Sequence, residues 1–75
     1  MFTVVGLRNV VSKKDGTRYF EIHATSEDRF VNGLRCDTVF VREDMIDHVD
    51  CLALDSTIQI YYNRVGRVES VSVIL

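Results

Sequence analysis

The sequence predicts an all-β domain, a five-stranded barrel carrying one short helix in the order β-β-β-α-β-β. Three observations predict it. Segments 2–12, 17–26, 36–42, 57–63 and 67–75 are rich in Val, Ile, Thr, Phe and Tyr, which suit a pleated, half-buried surface. Between them lie glycine-bearing turn sequences, among them "KKDG" at 13–16 and "NRVG" at 63–66. A single stretch, "EDMIDHVD" at 43–50, changes character: two acids open it, and Met45, Ile46 and Val49 form one apolar stripe at helical spacing. With 75 residues there is one domain, 1–75. Four glycines and no proline leave no linker or low-complexity tract.

The elements follow in chain order. "FTVVGLRNVVS" is the first strand, and Gly6 in its middle predicts a bulge or sharp bend, as a small closed barrel requires. "KKDG" is read as a type I turn with Gly16 in the left-handed position of a G1 bulge. "TRYFEIHATS" alternates cleanly: Phe20, Ile22 and Ala24 should face the core, and Tyr19, Glu21, His23 and Thr25 the outside. "EDRFVNGLR", 27–35, is a loop with Asn-Gly at its centre or a tight hairpin. "CDTVFVR" is the third strand. The helix at 43–50 is about two turns long. In the fourth strand Ile58, Ile60 and Tyr62 share one face and Thr57, Gln59 and Tyr61 the other. "NRVG" turns the chain as "KKDG" does, and "RVESVSVIL" is the fifth strand.

A helix between the third and fourth strands of a five-stranded Greek-key barrel is the OB-fold arrangement. An SH3-like barrel is the structural alternative, but it carries at most a late 3₁₀ turn. A core this small predicts marginal stability for the isolated chain. The last residues, "VSVIL", are apolar to the end; they belong to the core or to a strand edge shared in a homodimer, and a homodimer is expected. Neither a signal-peptide pattern nor a membrane-length apolar run is present, so the expected compartment is the cytoplasm. Cys36 and Cys51 stand alone and are expected to be reduced and buried.

The net charge of −2 argues against bulk electrostatic binding to duplex DNA. Its distribution is uneven. Residues 1–26 hold four cations against two acids, 27–50 hold three against seven, and 51–75 balance. Basic charge therefore gathers at the first and last turns. In an OB-fold those turns, with the face of strands 2 and 3, bind oligonucleotides. Tyr19, His23 and Tyr61 offer flat or polar surfaces to bases, and Arg8, Lys13, Lys14, Arg18, Arg64 and Arg67 can neutralise phosphates. The plain alternative is cross-strand packing of the tyrosines.

The hairpin "SKKDGTRYFEI" resembles that of filamentous-phage gene V-type single-stranded DNA-binding proteins, where basic residues precede a glycine and a tyrosine opens the second strand. "LDSTIQIYYNRVGRVESVSV" is similar to the closing hairpin of that family and of small bacterial OB-fold ssDNA-binding proteins. The resemblance implies a homodimer that coats single strands without enzymatic activity. It implies backbone contacts for Lys13, Lys14 and Arg18 and base stacking for Tyr19. It also requires the acidic segment "REDMIDHVD" to lie away from the bound strand.

The expected function is thus sequence-tolerant binding of single-stranded DNA, or RNA, during replication or transfer of a phage, plasmid or similar element. A protein–protein adaptor, docking through the segment 43–50 or the C-terminal strand, is the rival. No metal is expected, since His23 and His48 lie on different elements with no cysteine pair at ligand spacing. Asp44, Asp47 and Asp50 recur every three residues as a solvated acidic face would, and no glycine-rich phosphate loop follows a strand. Neither an enzyme, a cofactor, a small-molecule substrate nor a membrane partner is expected.

Overall fold

The computed structural model describes every residue from Met1 to Leu75. Six strands form one sheet: β1 (Phe2–Val11), β2 (Arg18–Glu27), β3 (Leu34–Arg42), β4 (Ile46–Asp47), β5 (Thr57–Tyr62) and β6 (Val68–Val73). Their spatial order is β3-β2-β1-β5-β6-β4, antiparallel throughout except for the β4–β6 pair. The two ends of that order, β3 and β4, follow each other in the chain across a 3₁₀ turn at Glu43–Met45.

The core is built by β-branched side chains. Ten residues are buried, and all but Ala24 are Val or Ile, contributed by all six strands. Branching at Cβ restricts χ1 and fits the side chain to a pleated surface, so these positions favour strand and core together. Full burial of each Val or Ile side chain is worth about 1.5–3 kcal/mol. Ile22 and Ala24 are buried as the alternation predicts, with Phe20 packed against them.

Gly6 does mark a bulge. Val4 lies opposite Ala24 and Gly6 opposite His23, which leaves Val5 as the extra residue. Parity reverses there: Phe2 and Val4 point inward before it, and Leu7 packs against the core after it. Gly66 has φ +80°, and the Asn63 carbonyl accepts from the Gly66 N–H at 3.1 Å, closing the turn. Gly16 is also left-handed, but its N–H donates to the Ser12 carbonyl four residues back. The first turn is therefore one residue longer than the type I turn expected.

The structure corrects three further expectations, and for the C-terminal strand it decides between two. The helix at 43–50 does not form. Two single 3₁₀ turns, Glu43–Met45 and Val49–Cys51, flank β4, and Ile46 pairs with Val71 in β6. Eight residues barely repay helix nucleation, whereas an extended Ile46 buries its branched side chain against a strand. His48, at φ 60°, then breaks any helical path. The three apolar residues of the segment nonetheless reach the core: Ile46 lies in it, and Met45 and Val49 pack against it. Tyr62, expected on the core face, is 48% exposed, because the β5–β6 register shifts between Tyr61 and Tyr62. Both cysteines are free but exposed: Val39 and Val41 face inward, so Cys36, an odd number of residues from each, faces out. The C-terminal strand is no open edge at Val71 and Ser72, which pair on both sides; Val71 and Val73 are core.

Candidate nucleic-acid interface

Strands β1, β2 and β3 form a meander whose outer face can be read from its register. Tyr19 sits between Val10 and Arg42, Glu21 between Arg8 and Phe40, and His23 between Gly6 and Thr38. Phe40 is 58% exposed, and Tyr19 is half-buried. Tyr19 and Phe40 are diagonal neighbours across the β2–β3 ladder, about 7–8 Å apart by ladder geometry.

A polar network crosses all three strands of this face. Arg8 Nη2 donates to Glu21 Oε1 at 2.8 Å. The other carboxylate oxygen, Oε2, lies 2.8 Å from His23 Nε2. A carboxylate only accepts, so Nε2 carries a proton, and Nδ1 lies within hydrogen-bond distance of the Thr38 hydroxyl, at 2.9 Å, which can serve it as donor or acceptor. These contacts hold the Glu21 carboxyl below its ordinary value; the His23 hydrogen bond is the largest cause and Arg8 adds to it, against partial burial. The acid at the centre of the face is thereby neutralised by its neighbours. Gly6 makes room for the network, since a Cβ there would meet the His23 side chain at 3.1 Å.

The cations divide into two groups. Arg8 is tied to Glu21, Arg42 to Asp44 at 3.3 Å, and Arg35 to Asp28 and Asp37. Lys13, Lys14, Arg18, Arg64 and Arg67 have no acid partner, and neither does Arg29, which lies over the Phe30 ring at 4.8 Å in the β2–β3 loop. In the first turn, Asp15 accepts from the Thr17 N–H at 2.9 Å, and that bond lowers its pKa. Its charge is spent on holding the loop while the neighbouring lysines stay free.

Register separates the two basic turns. Phe2 lies opposite Ile58 and Thr3 opposite Thr57, so β5 runs out past the N-terminal end of β1 towards residues 63–66. Residues 13–16 follow its C-terminal end. The turns therefore bracket the meander from opposite ends. Tyr61, 49% exposed, lies on the 63–66 side and away from Tyr19.

The acidic segment is not wholly remote from this surface. Glu43 and Asp44 share a cavity of about 650 Å³ with Thr17, Arg18, Arg42, Ile46 and Val49, beside the first turn. Sequence reasoning missed two residues of the face, Phe40 and Arg42. The signal was available, because inward Val39 and Val41 turn both of them outward.

No family model, no curated protein and no solved structure matches the chain.

Proposed function

We propose that this chain is a single-stranded nucleic-acid-binding barrel of the OB type, coating exposed strands by aromatic stacking and phosphate neutralisation. The observation that carries the reading is where the aromatic side chains are. The chain has seven, none is fully buried, and four are exposed. An aromatic ring is the largest apolar payload a small core can bury, yet this core is aliphatic, and Phe40 stands open beside Tyr19 on the β2–β3 face. Exposed rings flanked by unpaired cations suit bases and phosphates without reading sequence.

The chain path supports the barrel. β3 continues into β4, which runs parallel to β6, and β3 itself approaches β6. The bend at 43–45 and the approach of β3 to β6 suit closure of the sheet into an OB-type barrel, whose basic turns would flank the strand 2–3 face. Tyr19 and Phe40 stack bases beside Lys13, Lys14 and Arg18 at the first-turn end, and Arg64 and Arg67 take phosphates further along the strand, at the opposite end of the meander. The protein acts as a cytoplasmic homodimer in replication or transfer of a phage, plasmid or similar element, without an enzymatic step.

Fluorescence anisotropy with a labelled oligo-dT of about 25 nucleotides, beside a duplex of equal length, tests the reading. Micromolar or tighter affinity for the single strand, weakening with salt and much poorer for the duplex, is expected. Failure to bind the single strand at low salt would sink it.

A further inference from the structure

The cavity beside the first turn holds acids where a phosphate path would not want them. Glu43 and Asp44 lie on its wall with Arg18 and Arg42. Asp44 is satisfied by Arg42 at 3.3 Å, but half-buried Glu43 and exposed Arg18 have no ion-pair partner. An unpaired carboxylate and an unpaired guanidinium thus face one space. Buried Ile46 and half-buried Val49 supply an apolar wall, and Thr17 adds a hydroxyl. The space, about 650 Å³, is a shallow depression largely open to solvent, which admits one flat ring laid against its wall. The cavity opens next to Tyr19, because Arg42 is that residue's cross-strand partner.

We infer that this cavity takes a guanine base. A carboxylate can accept two parallel hydrogen bonds, and among the four DNA bases only guanine offers two adjacent donors, N1–H and N2–H₂. Guanine also carries the O6 and N7 acceptors that a guanidinium fork matches. Adenine and cytosine present one amino group each, and thymine a single N–H. With Glu43 on the donor edge, Arg18 on the acceptor edge and Ile46 and Val49 against a ring face, both unpaired charged groups of the cavity gain a partner. The acids near the strand path then act as base readers instead of repelling phosphates. This inference rests on the single-strand reading and adds to it one guanine-selective position at the Tyr19 end. The ligand is a guanine within a strand or a free guanine nucleotide, and the two sources are separable.

The test compares oligo-dT with the same oligomer carrying one central dG or one central deoxyinosine, which lacks the 2-amino group. The dG oligomer should bind about five- to tenfold tighter than oligo-dT, with deoxyinosine between them, and Glu43→Gln should abolish the ratio. Equal affinity of the dG and dT oligomers overturns the guanine site while leaving strand binding intact. Should no oligomer bind, strand binding fails, and an ¹⁵N–¹H titration with dGMP judges the cavity alone. Shifts at Thr17, Arg18 and Ile46 that dTMP does not produce uphold it for the free nucleotide, and their absence overturns it.

Discussion

Tyr19 and Phe40 carry the proposed contact with bases, and each can be removed without touching the core. Tyr19→Ala and Phe40→Ala should each weaken oligo-dT binding by about 1–3 kcal/mol in anisotropy titrations, with thermal unfolding close to wild type. Wild-type affinity from both variants would remove stacking from the account. Gly6 and His23 form a second testable pair. Gly6→Ala should destabilise the fold by about 1–3 kcal/mol, because the new methyl meets the His23 side chain at 3.1 Å. Adding His23→Ala should recover much of that loss in denaturant melts; equal instability of the double variant would mean that the bulge backbone, and not the ring, sets the requirement. Glu21 gives the pH dependence. Its folded pKa lies below its ordinary value of 4.5, so its contribution to stability is present above that value and is lost as pH falls through the lower, folded one. The stability gap between wild type and Glu21→Gln should therefore narrow as pH falls below the ordinary value of 4.5. A gap indifferent to pH would show that the Arg8–Glu21–His23 network adds nothing to the fold. The outward positions of Tyr19, Glu21 and His23 were legible, because strict alternation in β2 left no choice of face. Their mutual bonding was not, since it depends on Arg8 and Thr38 from strands whose register the sequence leaves open.

Among the elements, the segment 43–51 shows where local pattern stops being informative. Its apolar spacing fits a helix, and its three apolar residues do reach the core, but Ile46 meets Val71 as a strand residue. Helical and extended paths both bury that stripe; only the parallel partner β6, 25 residues further on, decides between them. Two substitutions test this. Ile46→Ala should cost about 2–5 kcal/mol, a core-strand penalty. At His48, held at φ 60°, glycine should be tolerated or stabilising, and valine should destabilise by about 1–2 kcal/mol. A helix would give the opposite order, because glycine is the poorer helix former. Turn chemistry, by contrast, reads well from sequence: Gly16 and Gly66 are both left-handed as expected. Only the length of the first turn escaped, because Lys13, Lys14 and Asp15 tolerate either loop.

The whole molecule spreads its basic charge over two turns at opposite ends of the β1–β2–β3 meander, on a chain that is acidic overall. Affinity should therefore depend on a few local contacts. If the five unpaired cations at the two basic turns, Lys13, Lys14, Arg18, Arg64 and Arg67, all meet phosphates, the logarithm of affinity should fall with that of salt at a slope near −3.5 per chain, about 0.7 for each contact. A slope near zero would mean that these cations face away from the strand. Exposed Phe30, Val31 and Leu34 at the β2–β3 loop leave apolar surface for a second copy. Light scattering should then give about twice 8.6 kDa, and a monomer at all concentrations would end the dimer proposal. The most direct measurement is an ¹⁵N–¹H chemical-shift titration of the labelled protein with oligo-dT. The account predicts perturbations concentrated at Tyr19, Glu21, His23, Thr38 and Phe40, extending into residues 13–16 and 63–67. Shifts confined to residues 28–34 or to β6, or none, would contradict it.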